Sequence, residues 1–207
     1  MFQSYSPNML KTYEDCPKKF HFKYVKKISM PVDDEIFEFG KNIHALASYY
    51  LRGENIDRME KSLTDAELKV WEYLKGLEYF SYELVNTEYN LAVKVGGRFF
   101  GGRLDALVKK GNTFYILDYK TGSAPKNAAF DFQTMIYILA VSEFFKTSDV
   151  VFIYLDLKNK SEVRIDFTEE LKEKYLQKLT QTAESIESSE NLQKKNNCRC
   201  EYSMICY

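Results

Sequence analysis

Three residues near the middle of the chain have the types and the spacing of a hydrolytic metal site. Asp105 lies in GGRLDALV, and Asp118 and Lys120 follow it in YILDYKTG. Two carboxylates can hold a divalent cation that polarises a phosphodiester, and a neighbouring lysine can orient the attacking water or offset developing negative charge. An acidic residue followed by Asp-x-Lys therefore indicates metal-dependent hydrolysis of phosphodiesters.

The elements that must position these residues are predicted strands. Apolar-rich runs over 89–95 and 98–108 surround a Gly-Gly dipeptide suited to a tight hairpin turn, and a Lys-Gly-Asn turn precedes a third run over 113–119. The resulting antiparallel meander places Asp105 and Asp118 on adjacent strands, close enough to share one ion. Because short carboxylate patterns recur by chance, this spacing alone favours ordinary polar positions on a half-buried sheet. The hydrolytic interpretation depends on further residues.

Two predicted helices supply such residues. His44 lies in FGKNIHALASYYL; a lone histidine on a helix face is usually a satisfied core residue. This one precedes the two aspartates in the order of a third metal ligand, and imidazole accepts Mn²⁺ readily and Mg²⁺ less so. Gln133 and Tyr137 share a face of the helix after Asp-x-Lys, where they could contact a nucleic-acid backbone or position Lys120. An ordinary amphipathic helix explains either residue equally well on its own.

Taken in order, these residues and others resemble the RecB-type nuclease branch of the PD-(D/E)xK superfamily, and within it the small CRISPR-associated and phage nucleases that carry an iron–sulfur cluster. The motifs that carry the resemblance cover nearly the whole chain: Ser-x-Ser-x-x-x-Leu (Ser4, Ser6, Leu10), Cys-Pro-x-x-Phe (Cys16, Pro17, Phe20), Gly-x-x-x-His (Gly40, His44), Gly-Arg-x-Asp (Gly102 to Asp105), Asp-x-Lys, Gln-x-x-x-Tyr and a C-terminal cysteine group. The resemblance implies an α/β fold with a restriction-endonuclease-like core. Such a core is a mixed sheet with flanking helices, here with termini joined by a cysteine-ligated cluster.

The same resemblance implies a role for each central residue. The implied metal ligands are His44, Asp105, Asp118 and the backbone carbonyl of Tyr119, and the implied cation is Mg²⁺ or Mn²⁺. Lys120 matches the catalytic lysine of the family. Glu88, in NTEYNL, matches the acidic position that opens the first core strand of the family. That match places Glu88 near the site without giving it a role.

The four cysteines lie near the two ends of the chain: Cys16, Cys198, Cys200 and Cys206. Four thiolates suit a [4Fe–4S] cluster that ties the ends together, although tetrahedral zinc uses the same ligands. The family usually places two residues between its second and third cysteines, whereas this chain places one there. The first residues lack an apolar signal stretch, and no segment approaches a membrane span. We therefore expect a reducing cytoplasm and thiols rather than structural disulfides.

Length and composition predict a single nuclease domain over residues 1–207. A chain of 207 residues with 45% hydrophobic content can bury one core but leaves little room for a second domain. Within it we predict a basic helical segment (1–30), a catalytic core (83–167) and a cysteine tail (190–207), with a polar loop over 185–195. The sequence contains no Gly-rich nucleotide-binding loop, so an ATP-driven motor would have to be another chain.

The remaining predicted elements complete a sheet with helices on both sides. Helical segments begin at Ser6, with Pro7 at the first helical position. Further helices are expected over about 64–80 and 168–183, and further strands over 150–157 and 163–167. A helix between the meander and the next strand suits a crossover to a neighbouring strand.

The distribution of charge is more informative than its sum. The net charge is −1, but residues 1–27 carry six lysines against two acids. Lys194, Lys195 and Arg199 would join this basic surface if the cysteines bring the termini together. A basic helix is usually only a solvated face, yet proximity to the cluster makes this one a candidate guide for DNA. Aromatic residues, 15% of the chain, could stack on unpaired bases.

The sequence therefore predicts a metal-dependent DNA nuclease, an exonuclease on single strands or DNA ends in recombination, repair or CRISPR adaptation. One alternative is a non-catalytic DNA-end-binding subunit of a larger complex with a helicase or a CRISPR integrase. A second is a nuclease that acts on RNA, because the sequence has no base-reading motif that decides between substrates.

Overall fold

The computed structural model describes residues 4–31, 35–188, 193–194 and 200–206. The strands are β1 (Ser4–Tyr5), β2 (Glu83–Val95), β3 (Arg98–Lys110), β4 (Thr113–Lys120), β5 (Val150–Asp156) and β6 (Ser161–Asp166). The α-helices are α1 (Pro7–Asp15), α2 (Pro17–Phe20), α3 (Glu35–Leu51), α4 (Asp57–Ser62), α5 (Asp65–Lys75), α6 (Phe132–Phe145) and α7 (Glu169–Ser188). A π-helical turn (His21–Val25) and three 3-10 turns (Glu78–Ser81, Ala128–Phe130, Ser203–Ile205) complete the elements.

The six strands form one mixed sheet. Antiparallel pairing of β2 with β3 and of β3 with β4 confirms the predicted meander. The parallel pairing of β4 with β5 requires a long connection, which α6 supplies, so the predicted crossover is also confirmed. Strand β1 pairs in parallel with β3, and β6 closes the other edge against β5.

Helices cover both faces of the sheet, as the sequence predicts. Successive residues of a strand point to opposite faces, and on β4 this alternation places Ile116 in one core cluster and Leu117 in the other. The first cluster includes buried residues of α1, α6 and α7, and the second includes buried residues of α3 and α5. The fold is therefore an α/β sheet between two helical layers.

Three predicted boundaries are wrong for identifiable physical reasons. The helix expected over 64–80 ends at Lys75, because Gly76, a poor helix former, takes its C-cap position. Strand β2 begins six residues before the predicted start and passes through a bulge between Leu84 and Asn86. Residues 185–188, expected to be loop, are helical, because the buried Ile186 keeps the last turn of α7 on the core.

Contacts of Tyr202 and Glu201 bring the described C-terminal residues against the N-terminal helical segment. The Tyr202 hydroxyl donates a hydrogen bond of 2.8 Å to the carbonyl of Ile28, and the Tyr202 ring lies 5.6 Å from that of Phe22. An ion pair of 3.0 Å joins Lys19 to Glu201. Within the described part of the chain, no helix has both the length and the apolarity to cross a lipid bilayer.

Candidate active site

The two central aspartates lie where the pairing of β3 with β4 stops. The paired register ends at Ala106 and Leu117, one residue away from Asp105 and Asp118. Beyond that point the Asp105 carboxylate replaces a backbone partner, since it accepts a hydrogen bond of 2.9 Å from the Tyr119 amide. Asp118 is only 4% exposed. The structure therefore places both predicted carboxylates together, one half-buried and one buried.

His44 reaches this point from α3. Its Nε2 lies 2.9 Å from the carbonyl oxygen of Tyr119, and its Nδ1 lies 3.3 Å from a carboxylate oxygen of Asp105. Both oxygens are acceptors, so only an imidazolium can donate to both. Burial lowers the pKa of His44, but the hydrogen bond and charge of Asp105, the charge of Asp118 and the hydrogen bond to the Tyr119 carbonyl together raise the pKa above its ordinary value.

Lys120 is held by two partners on the buried side of the site. Its ammonium lies 2.8 Å from Asp118 Oδ2 and donates a hydrogen bond of 2.7 Å to Gln133 Oε1. The Gln133 amide in turn donates a hydrogen bond of 3.1 Å to Asp118 Oδ1. Burial first, and then the charge of Asp105, raise the pKa of Asp118 to about 6 against the opposing charge of Lys120.

One oxygen of Asp118 remains poorly satisfied. Oδ2 is close enough to the Lys120 ammonium for charge attraction, yet it accepts no well-aligned hydrogen bond from the described residues. The contact is an ion pair without a hydrogen bond, because charge attraction acts at 2.8 Å even when the angle is poor. A buried carboxylate oxygen in this condition is a ready ligand for a cation.

Glu88 joins the site although the sequence assigned it no role. It lies between the register pairs Thr87–Ala106 and Tyr89–Leu104, opposite Asp105. Its φ of 51° is in the left-handed region, which costs a non-glycine residue free energy and is concentrated at functional sites. Glu88, His44 and Asp105 each offer one ligand atom, and these three atoms lie within 4.8 Å of one another. The family resemblance placed Glu88 near the site, but no sequence signal indicated that it would be a candidate ligand.

A buried hydrogen bond fixes the relative position of α3 and β2 at this point. The Ser48 hydroxyl donates a hydrogen bond of 2.8 Å to the Thr87 hydroxyl. Ser48 lies one helical turn after His44, and Thr87 immediately precedes Glu88. Glu88 also forms an ion pair of 2.6 Å with Arg103. The strained backbone of Glu88 is therefore held from two sides.

The donor set fits a divalent cation. Carboxylate and carbonyl oxygens suit Mg²⁺ and Mn²⁺, and an imidazole adds preference for Mn²⁺. The unsatisfied Asp118 oxygen and the converging atoms of His44, Glu88 and Asp105 are the structural features that such an ion would satisfy. Asp118 is outside that three-residue group and lies instead against Lys120.

The two residues predicted on the crossover helix have different surroundings. Gln133 bridges Lys120 and Asp118, as described above. Tyr137 is 4% exposed, and its hydroxyl donates a hydrogen bond of 3.0 Å to the carbonyl of Arg103. A Cβ at Gly102 would lie 2.8 Å from that hydroxyl, so glycine is needed there for the close approach. Helix α6 is buried on nearly all sides and is not the amphipathic helix of the alternative interpretation.

The predicted cysteine cluster is only partly described. Cys16 is buried at the start of α2, and its sulfur lies 3.5 Å from the Lys19 amide. The Lys19 side chain pairs with Glu201, which follows the half-buried Cys200. Cys206 is also half-buried, and Cys198 lies outside the described residues. The donor chemistry and the meeting of the two ends fit a thiolate-ligated group, whose identity stays a prediction.

The predicted basic surface is partly neutralised by acids. Lys11 pairs with Asp131 at 3.2 Å, and Lys19 pairs with Glu201. Lys195 and Arg199 lie outside the described residues. The count of lysines in residues 1–27 therefore overstates the positive charge that this end of the protein presents.

A cleft of about 620 Å³ opens beside the candidate ligands. It is lined by residues of α3 and of the neighbouring strands and loop: Gly40, Lys41, His44, Ala45, Ser48, Tyr49, Arg52, Glu88, Arg103 and Thr121. His44 and Glu88 thus face a space that is large enough for part of a substrate.

Comparison with known proteins supplies the family. The sequence profile of the PD-(D/E)XK nuclease superfamily matches residues 4–207. None of the curated proteins compared with the chain matches it. The fold is similar to the crystal structure of a candidate exonuclease from Eubacterium rectale, with a TM-score of 0.61 and 12% identity over 96% of this chain and 86% of that one. The structure of SSO0001 is 18% identical over 100% of this chain and 86% of that one, with a TM-score of 0.46.

Proposed function

This chain belongs to the PD-(D/E)XK nuclease superfamily, and we propose that it is a metal-dependent deoxyribonuclease with its active site at His44, Asp105, Asp118 and Lys120. The observation that carries the proposal is the meeting of two hydrogen-bonded groups, each built around an aspartate on one of two neighbouring strands. His44 joins Asp105 to the Tyr119 carbonyl, and Lys120 joins Asp118 to Gln133. These groups combine a negative site for a cation with a fixed positive charge beside it.

Each residue has a distinct task in the proposed reaction. The proposed cation ligands are Asp105, Asp118, the Tyr119 carbonyl and His44, with Glu88 as an additional carboxylate. His44 must lose a proton to bind the cation, because only the neutral imidazole has a free lone pair. When bound, Mg²⁺ or Mn²⁺ supplies Lewis acidity and a water of lowered pKa. Lys120 orients the attacking water and offsets the negative charge that develops on the phosphate. Gln133 holds the lysine in place, and Tyr137 supports the backbone of β3 at Arg103.

The substrate and the cellular role are finer parts of the proposal. We infer a single nuclease domain over residues 1–207, acting in the cytoplasm as an exonuclease on single strands or DNA ends. A helicase or a CRISPR integrase is the proposed partner class. We further propose that Cys16, Cys198, Cys200 and Cys206 hold a [4Fe–4S] cluster, which iron and zinc analysis of anaerobically purified protein distinguishes from a zinc site.

One cleavage panel tests the central proposal. The purified protein is incubated with single- and double-stranded DNA labelled at either end, in Mg²⁺, Mn²⁺ or EDTA. We expect cleavage that requires the cation and is lost in Asp105→Asn, because that change removes a ligand charge from the cation site. Asp166→Asn is the matched control, since Asp166 lies on the same sheet but pairs with Arg164 at its far edge.

The panel also decides between the alternatives. DNA that is bound but never cut in either cation would replace the nuclease with an end-binding subunit. Cleavage of labelled RNA in preference to DNA would change the substrate class. Activity that survives in Asp105→Asn would place the active site elsewhere.

A further inference from the structure

An aromatic ring lies in the same cleft as the candidate metal ligands. Tyr49 and Arg52 line the cleft together with His44 and Glu88. The Arg52 guanidinium lies 4.7 Å from the centroid of the Tyr49 ring, and Arg52 Nε donates a hydrogen bond of 2.6 Å to Glu54. Arg52, itself held by Glu54, therefore packs on the Tyr49 ring and holds it in place, while 39% of Tyr49 remains exposed.

The geometry of α3 connects this ring to the site. Positions 41, 45, 48, 49 and 52 all line the cleft, and their spacing is that of one helix face. Between His44 and Tyr49 the lining residues Ala45 and Ser48 are small, which leaves the floor of the cleft open. A rise of 1.5 Å per residue places Tyr49 about 7.5 Å along the helix from His44, roughly the length of one or two nucleotides.

The charges around the cleft suit a phosphodiester strand. Lys41, Arg52 and Arg103 line it, and Glu88, the acid among the lining residues, is paired with Arg103. Cationic side chains attract phosphates, and an aromatic ring stacks on a base of any sequence. A volume within the roughly 300–1,000 Å³ range of ligand pockets is sufficient for a nucleotide.

We propose that Tyr49, braced by Arg52, is a stacking platform for an unpaired base of the strand whose phosphate lies at His44 and Asp105. The inference rests on the proposed nuclease function and makes it more specific. A base inside a duplex has both faces covered by its neighbours, so only an unpaired or terminal base can offer a face to the ring. The platform therefore selects single-stranded DNA or frayed ends at the site.

Location in the cleft, rather than the cation–ring contact itself, distinguishes this tyrosine. A comparable pair lies across strands β2 and β3, where the Lys94 ammonium lies 5.8 Å from the ring centroid of Phe99 and Phe99 is 49% exposed. Phe99 does not line the cleft. It is therefore a matched control for Tyr49, with an exposed ring and a cation but no neighbouring ligand group.

The test is a binding measurement that does not depend on cleavage. Lys120→Ala protein in Mg²⁺ is titrated with short single strands that carry 2-aminopurine, whose fluorescence falls on stacking, at successive positions from one end. We expect quenching at one or two adjacent positions. Adding Tyr49→Ala should remove the quenching and weaken binding roughly 10-fold, on the scale of one stacked base. Tyr49→Phe should preserve both, and Phe99→Ala should change neither.

The opposite results overturn the inference. Quenching that persists in Tyr49→Ala, or equal losses in Tyr49→Ala and Phe99→Ala, would remove the platform. A fully paired hairpin that binds as tightly as the single strand and depends equally on Tyr49 would also overturn it. Tyr49→Leu gives the same comparison if the alanine variant does not fold. Wild-type protein that cuts no DNA would instead refute the nuclease function, while this binding measurement stays readable.

Discussion

Two carboxylates of this protein have similar partners and opposite electrostatics. Each contacts one cation and one neutral hydrogen-bond donor: Asp118 contacts Lys120 and Gln133, and Glu187 contacts Arg98 and Tyr5. The pKa of Asp118 is raised to about 6, whereas the hydrogen bond from Arg98 lowers the pKa of Glu187 to about 2. Similar contacts therefore accompany pKa shifts of opposite direction at these two carboxyl groups.

The difference comes from burial and from the number of neighbouring acids. The Asp118 side chain is 5% exposed and lies near Asp105. Burial and repulsion from Asp105 therefore raise its pKa more than the Lys120 ammonium lowers it. Glu187 is 17% exposed, and Arg98 donates to it from two nitrogens at 2.9 and 2.7 Å. The structural network neutralises its carboxylate fully. At the active site, by contrast, a buried oxygen of Asp118 accepts no well-aligned hydrogen bond from the described residues and Asp105 lies nearby, an arrangement that a divalent cation would stabilise.

The largest expected effect is on catalysis at the buried side of the site. Lys120→Ala should slow DNA cleavage by roughly 10²–10³-fold, because one group that stabilises the transition state is lost. The cation should still bind, since its proposed ligands are unchanged. Cleavage rates at saturating Mn²⁺ measure the effect, and Lys126→Ala on the exposed loop after β4 is the matched control. Equal rates in the two variants would show that Lys120 is only a structural partner of Asp118.

Sequence reasoning found the residues whose signal is local. The Asp-x-Lys spacing, the strand alternation around it and the position of His44 in a helical pattern all predicted what α3, β3 and β4 bring together. Ser6 and Pro7 likewise marked the start of α1, where the Ser6 hydroxyl caps the helix. Such signals lie within a few residues of chain and do not depend on the rest of the fold.

Features that depend on distant contacts were missed. The sequence placed Glu88 near the site, but its left-handed backbone follows from strand register and from the Ser48–Thr87 hydrogen bond, which no short pattern encodes. The helical conformation of residues 185–188 likewise depends on the burial of Ile186 against the core. Local polarity predicted a loop there, and tertiary packing overrode it.

A smaller expected effect concerns stability, with opposite pH dependence at the two carboxylates. The folded pKa of Asp118, about 6, is above the ordinary value of 3.8, so its ionisation destabilises the fold as pH rises through that window. Asp118→Asn should therefore raise the metal-free melting temperature at pH 7 and make little difference near pH 4, while it abolishes cleavage. Thermal unfolding in EDTA measures this. A lower melting temperature at pH 7 would mean that the Lys120 contact outweighs burial.

The smallest expected effect is at Glu187 and has the reverse sign. Its folded pKa of about 2 is below the ordinary value of 4.5, so its contribution is fully present above about pH 4.5 and is lost as pH falls toward 2. Glu187→Gln should cost about 1 kcal/mol at pH 7, since water screens a partly exposed pair, and it should flatten the acid side of the stability profile. Urea unfolding between pH 3 and 7 measures both. Glu184→Gln, which changes a more distant acid 3.9 Å from the same arginine, should leave the profile unchanged. Identical profiles for the two variants would remove the contrast between the ion-paired carboxylate of Glu187 and the buried carboxylate of Asp118.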